Sequence, residues 1–234
     1  MKNAPKYTLT PTAEQTFELE GSGPWDFRKR LRTAEEMQRS GQIEAACEER
    51  YRAVQLIEEL LPEEEEINLE WNHPNSRAAL ELIHGSAIDH FLIGDFELSA
   101  ALLELCLELD PEDHLEAVNL LGFDYVELGE YDLCEEILLD ISEKSSMRPL
   151  LELWLAFRRS GELAAAPLQH LKSRHTALFE EFTAEEHPTD EAFIKEINSE
   201  RPSARAQARE VWLQTEPLWA LHPEFISALK AAKG

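Results

Sequence analysis

The sequence predicts an all-α fold, a stack of helical hairpins closed by a C-terminal helical cap. Three observations carry that expectation. From Trp25 onward, apolar residues recur every three to four positions nearly throughout, the period of an amphipathic helix. Strand-like alternation of β-branched residues is absent from that stretch. A turn-like triplet also returns in the same setting between helical segments: Gly41-Gln42-Ile43, Gly94-Asp95-Phe96, Gly129-Glu130-Tyr131 and Gly161-Glu162-Leu163. The last three are spaced by 35 and 32 residues, and repetition near this period points to a solenoid of stacked hairpins.

Taken in order, residues 1–24 show no steady period and read as an extended or mobile leader. The first hairpin turns at Gly41. The connection "LPEEEEINLEWNHPNS" has proline at both ends and four consecutive Glu, so it reads as exposed, with Asn75 or Ser76 placed to cap the next helix. That helix, "RAALELIHGSAIDHFLI", stops at Gly94, where glycine suits the left-handed residue just past a helix end. In its partner, Leu98, Ala101, Leu102, Leu105 and Leu109 share one face, while Glu97, Glu104 and Glu108 lie mostly opposite. Pro111 cannot continue the hydrogen-bond ladder and ends it. Two further hairpins follow around Gly129 and Gly161. After "TAEEHPTD", helices are expected at about 190–199, 203–215 and 222–233, separated by Pro202 and Pro217. Their Trp212, Leu213, Leu218, Trp219, Leu221, Phe225 and Ile226 can cover the open face of the last hairpin.

A chain of 234 residues with 43% hydrophobic content is long and apolar enough to bury a sizeable core. Its net charge of −25 argues against unassisted binding to nucleic acid or to an anionic membrane face. The charge is regional. Between Ala53 and Glu143 stand 25 Asp and Glu against the single Arg77, which leaves that segment with −24 of the total. Such a surface keeps an oily repeat soluble, and it can also steer a basic partner. Cys47, Cys106 and Cys134 have no paired spacing and fall on apolar helical positions, as small core residues in a reducing compartment do. The first residues lack the apolar run of a secretory signal, and no apolar run approaches the ~20 residues of a membrane span. A cytoplasmic location is the expectation.

Catalytic motifs are weak. There is no GxGxxG, phosphate-cradling loop, GxSxG or HExxH. Glu81 and His84 have the Glu-x-x-His spacing of carboxylate-bridged metal bundles, which need a second such pair, and none occurs. No catalytic residue, cofactor or metal is expected, although a helical enzyme or metal protein built on the acidic hairpins stays open as an alternative.

Residues 80–113 resemble the tetratricopeptide repeat (TPR) superfamily, whose pattern runs W-x2-L-G-x2-Y, a turn Gly, A-x3-F and a closing Pro. Ala87 takes the small position, Gly94 the turn, Ser99, Leu103 and Cys106 the second helix, and Pro111 the terminator. Leu121, Gly122, Tyr125, Gly129, Tyr131 and Cys134 match the following unit, and Trp154, Phe157, Gly161 and Ala166 a third. Ile83 and His90 stand where the pattern has Trp and Tyr. The resemblance covers about residues 27–182 and divides the chain into a leader (1–24), TPR-like repeats (25–182) and C-terminal capping helices (183–234).

The resemblance implies a right-handed superhelical stack that acts as a scaffold or adaptor, binding a protein, peptide or helix in a concave groove lined by the first helix of each hairpin. By repeat position the groove candidates are His84, Ile88 and Phe91, then Asn119, Phe123 and Glu127, then Arg148, Leu155, Arg158 and Arg159. They describe a groove with an apolar floor, acidic in the middle and basic toward the C-terminal side. At the positions where some relatives grip a terminal carboxylate, this chain has His84, Ile88, Leu120, Arg148 and Glu152, and only Arg148 fits. A self-assembling structural role, with the leader or the C-terminal cap filling the groove, is the other alternative.

Overall fold

The structure is a computed structural model that describes residues 7–61 and 66–233. The first six leader residues and Pro62 to Glu65 of the acidic connection lie outside the described residues. Among the described residues the chain is 67% helical, with twelve α-helices and a small three-stranded sheet. It divides into two compact units: the described residues of Met1–Phe91 with Asp95–Leu121, and those of Leu92–Gly94 with Gly122–Gly234.

The sheet corrects the all-α expectation, and it lies where the leader was expected to be aperiodic. Strands β1 (Tyr7–Ala13) and β2 (Thr16–Gly21) form an antiparallel hairpin in the register Thr8↔Glu20, Leu9↔Leu19, Thr10↔Glu18. The two-residue β3 (Asn68–Leu69) runs parallel to β2, giving the order β1-β2-β3. In "TFELEG" only Phe17 and Leu19 alternate with Glu18 and Glu20, so the two-residue period is too short to stand out in the sequence. Leu19 is nonetheless buried.

The leader is tied down by the residues expected to cap the next helix. Helix α3 (Pro74–Leu92) begins at Pro74, a favoured first helical residue, so Asn75 and Ser76 fall inside its first turn. Both are buried. Asn75 Oδ1 accepts from the Phe27 N–H at 2.8 Å, and its Nδ2 donates to the carbonyls of Leu19 (3.0 Å) and Trp25 (3.1 Å). Ser76 Oγ accepts from the Leu19 N–H at 2.9 Å. Together they bind β2 and the start of α1 (Phe27–Arg39) to α3.

The expected hairpin turns are present. Helices α1 and α2 (Ile43–Glu58) flank Gly41, α3 and α4 (Phe96–Leu109) flank Gly94, and α5 (Ala117–Leu128) and α6 (Tyr131–Ile137) flank Gly129. These glycines have φ of +79°, +80° and +82°, a left-handed conformation that side chains with a Cβ adopt only under strain. At each turn the next residue donates its N–H to a carbonyl five residues back: Gln42 to Met37 (2.9 Å), Asp95 to His90 (2.9 Å) and Glu130 to Tyr125 (2.8 Å). In all three the second helix begins two residues after the glycine. The fourth turn, between α7 (Met147–Ser160) and α8 (Ala165–Arg174), keeps the left-handed Gly161 but is two residues longer.

In the first unit Arg50 of α2 makes a bidentate ion pair with Asp89 of α3, at 2.6 and 2.7 Å, and also donates to Gln38 of α1 (3.1 Å). In the second unit the small position at Gly122 is required by packing, because a Cβ there would lie 2.8 Å from Cδ1 of Leu151 on α7. The remaining helices are α9 (Thr176–Phe182), α10 (Glu191–Ile197), α11 (Ala204–Leu221) and α12 (Pro223–Ala231). Pro217 does not separate two helices as expected but sits inside α11. It removes one backbone donor, while the buried Leu218 and Trp219 just beyond it hold the helix in the core across that gap. Among the described residues no helix is long and apolar enough to cross a membrane.

Candidate functional site

The candidate groove residues divide into those the fold buries, those it pairs internally and those it leaves accessible. Phe91 is fully buried in the first unit, edge-to-face with Phe96 at 5.2 Å, and is a core residue rather than a groove residue. Leu155 is also buried, and so is Phe123, whose ring meets Trp219 of α11 at 5.6 Å. Arg159 pairs with Glu135 and, at 3.5 Å, with Asp132, its guanidinium over the Tyr131 ring. Asn119 Nδ2 donates to Glu116 at 3.2 Å.

Glu127 and Arg158 meet on the first helices α5 and α7, with Nη1 and Oε2 2.5 Å apart. They are joined by His222, at the junction of α11 and α12, whose Nε2 lies 2.8 Å from Glu127 Oε2 and 2.7 Å from Arg158 Nη1. A neutral Nε2 accepts from Arg158, whereas a protonated one donates to Glu127. The triad rests on Trp154, whose ring is 4.9 Å from the imidazole and 5.1 Å from the guanidinium. Trp154 in turn meets Trp219 (5.3 Å) and Phe225 (5.0 Å), and Phe157 meets Phe225 (5.4 Å). Within this unit the first-helix face of α5 and α7 is therefore covered by the chain's own C-terminal helices.

In the first unit the corresponding face carries an open cleft of about 460 Å³ between α1 and α3. Arg28, Leu31 and Arg32 line it from α1, and Pro74, Arg77, Ala78 and Glu81 from α3, both sets at helical spacing on one face. Arg28 pairs with Asp26 (3.4 Å) and Arg77 with Glu81 (3.6 Å), while no ion pair holds Arg32 among the described residues. Burial pushes the Glu81 carboxyl up, Arg77 pulls it down, and Glu35 on α1 raises it again. Further along α3, His84 and Ile88 are half-buried, and burial pushes the His84 imidazole down, favouring its neutral form. The sequence singled out Glu81, His84 and Ile88 but missed the arginines of α1. The available signal was the spacing of Arg28, Leu31, Arg32 and Glu35, in a hairpin that matches the repeat pattern only through its turn and Ala46.

Two further arrangements bear on chemistry. His73 stands between Ser76 Oγ (3.2 Å) and Glu20 Oε1 (3.1 Å), residue types that a hydrolase uses in relay. Ser76 is shut from solvent and its oxygen already accepts from Leu19, so the array serves to hold the leader. Arg148, the remaining candidate, donates to Glu152 (3.2 Å) and to the Ile141 carbonyl (3.1 Å) and lines a cleft in the second unit. Among the described residues no three His, Cys, Asp or Glu side chains converge as a metal ion would require.

No family model, curated protein or solved structure matches the chain.

Proposed function

We propose that the chain is a protein-binding module, a TPR-like stack of helical hairpins serving as a scaffold or adaptor, and that its partner segment docks on the first-helix face of α1 and α3. The observation that carries this reading is the docking of α11 and α12 on the equivalent face of α5 and α7. A face that accepts apolar helices within the chain has the chemistry to accept one from a partner, by the helix-in-groove mode. On α1 and α3 it is left open, with Leu31 and Ala78 as its floor and three arginines at its rim. The lining has three arginines against Glu81, and Arg28 and Arg77 are already paired with Asp26 and Glu81, which leaves Arg32 as the cation without an ion pair among the described residues. The acidic segment favours a basic partner on approach, but the anchor in this cleft is an apolar side chain flanked by a carboxylate.

The test is affinity capture from the source cell with wild type, the double variant Arg32→Glu/Arg77→Glu, and Arg52→Glu as an exposed control on α2. A partner held by wild type and by the control but lost from the double variant supports the reading. Capture of the same proteins by all three overturns it.

A further inference from the structure

The second unit contains a second charged concavity that the protein-binding reading does not use. A cleft of about 660 Å³ is lined by Lys144 before α7, Arg148 on α7, His170 and Arg174 on α8, and His175 between α8 and α9. Its carboxylates are Glu143 and Glu152. Glu152 is engaged by Arg148, whose guanidinium is also fixed on the Ile141 carbonyl. No ion pair engages Lys144 or Arg174 among the described residues, so two exposed cations converge there in a strongly acidic chain. His175 Nε2 is closed off from solvent and has no hydrogen-bond partner, and buried polar atoms rarely stay unsatisfied. Its ring packs edge-to-face on His170 at 5.2 Å.

A hollow of about 460 Å³ shares Lys144, Arg174 and His175 with this cleft. Its floor is apolar, formed by Leu178, Ala208 and Val211, with the hydroxyls of Ser146 and Thr176 beside it. Each of the two spaces falls by itself in the size range of small-molecule sites, and their division into a cationic end and an apolar end describes an amphiphilic anion.

We propose that this site binds a phosphomonoester, its phosphate between Lys144, Arg174 and His175 and its apolar body in the adjoining hollow. A phosphate group offers three strong acceptor oxygens to the ammonium, the guanidinium fork and the imidazole, whereas a carboxylate offers only two. Its double negative charge also suits the ammonium of Lys144 and the guanidinium of Arg174, while burial and the neighbouring His170 push the His175 imidazole down and favour its neutral, N–H-donating form.

The test is calorimetric titration of the full chain with inorganic phosphate, 1-naphthyl phosphate and 1-naphthoate. The expected order is naphthyl phosphate tightest, inorganic phosphate weaker by about tenfold or more for want of the apolar body, and naphthoate weaker than naphthyl phosphate. Lys144→Glu and Arg174→Glu each weaken naphthyl phosphate by about tenfold or more, with unchanged circular dichroism and melting, because both side chains are exposed. Lys195→Glu, an exposed charge reversal on α10, leaves binding unchanged. The proposal is overturned if no phosphate probe binds at millimolar concentration or if Arg174→Glu binds as Lys195→Glu does. It is equally overturned if naphthoate binds as tightly as naphthyl phosphate.

Discussion

Replacing Asn75 by Asp should release the N-terminal hairpin while leaving side-chain volume unchanged. The wild-type amide satisfies groups on both of its atoms, accepting from the Phe27 N–H at 2.8 Å and donating to the Leu19 and Trp25 carbonyls at 3.0 and 3.1 Å. It does so at 1% exposure, where water cannot substitute. Aspartate keeps the acceptor but turns the two donors into an oxygen that faces two carbonyls. Two lost hydrogen bonds in a buried site, each leaving an acceptor unsatisfied, cost about 1–2 kcal/mol apiece, and burying a carboxylate adds to that. The total is about 3–5 kcal/mol, a large share of the roughly 5–15 kcal/mol that holds a domain folded.

Because the chain has two compact units, a single unfolding midpoint is a poor readout, and hydrogen exchange resolved by peptide is the better assay. Asn75→Asp should lose protection across residues 7–27 while α9 and α11 stay protected. Burial raises the new carboxyl's pKa, and protonation restores one donor, so the defect should shrink as the pH is lowered from 7 to 5. Asn72→Asp, an exposed change three residues away that trades an amide donor to Glu70 (3.1 Å) for a solvent-screened like charge, should cost no more than about 1 kcal/mol and leave residues 7–27 protected. Unchanged exchange over 7–27 in Asn75→Asp, or an equal effect in Asn72→Asp, would refute the assignment of Asn75 as the clamp.

Two further perturbations test the second unit. Burial alone would push the Glu181 carboxyl up, but hydrogen bonds from Arg209 (2.7 and 3.0 Å) and His187 (2.7 Å) outweigh it and hold it below its ordinary value of 4.5. A depressed carboxyl stabilises fully above its unfolded value and loses that contribution as pH falls through the folded one, so wild type should weaken below about pH 4.5. Glu181→Gln should lose about 3–5 kcal/mol at pH 7 by leaving Arg209 buried without its charge partner, and urea melts of the two proteins should converge in acid. Gly122→Val forces a branched side chain against Leu151 and Ile137 and should cost about 2 kcal/mol. Adding Leu151→Ala should cost less in that background than in wild type, and strict additivity of the two changes would rule out the contact.

The helices were legible in the sequence because their signal is long. The apolar residues of α4 recur at helical spacing, although the face it buries is set by Phe96, Ser99, Leu103 and Cys106 with Leu102 and Leu109, while Ala101 of the expected face is exposed. The glycines at 41, 94 and 129 mark turns whose hydrogen bonds coincide. The sheet was not legible, because β2 offers two apolar residues and β3 only two residues in all. Asn75 and Ser76 were visible as polar residues beside a helix start, where the local rule says cap. Their actual partners lie 48 to 57 residues away, a separation that no local pattern encodes. Pro217 misled for the opposite reason: its local cost is real, but tertiary burial of Leu218 and Trp219 exceeds it. Among the groove candidates, the resemblance implied that Glu127 and Arg158 stand on neighbouring first helices, but it could not show that His222, 64 residues beyond Arg158, closes over them.

Whether that covering segment is a displaceable plug or part of the fold can be decided by magnitude. Trp219 and Phe225 are buried against Phe123, Trp154 and Phe157. Two such rings bury roughly 300–500 Å² of mostly apolar surface, about 8–12 kcal/mol at ~25 cal/mol/Å² and about a third less against a compact unfolded chain. Opening the Glu127–Arg158–His222 triad would add the cost of separating charges that are less than a quarter exposed. A partner competing for this face would have to supply all of that before gaining any affinity, and a typical micromolar complex yields only about 8 kcal/mol in total. The C-terminal helices are therefore part of the second unit's core. Under the proposed reading, a partner's docking therefore falls to the cleft between α1 and α3, whose lining sets Arg28, Arg32 and Arg77 against Glu81.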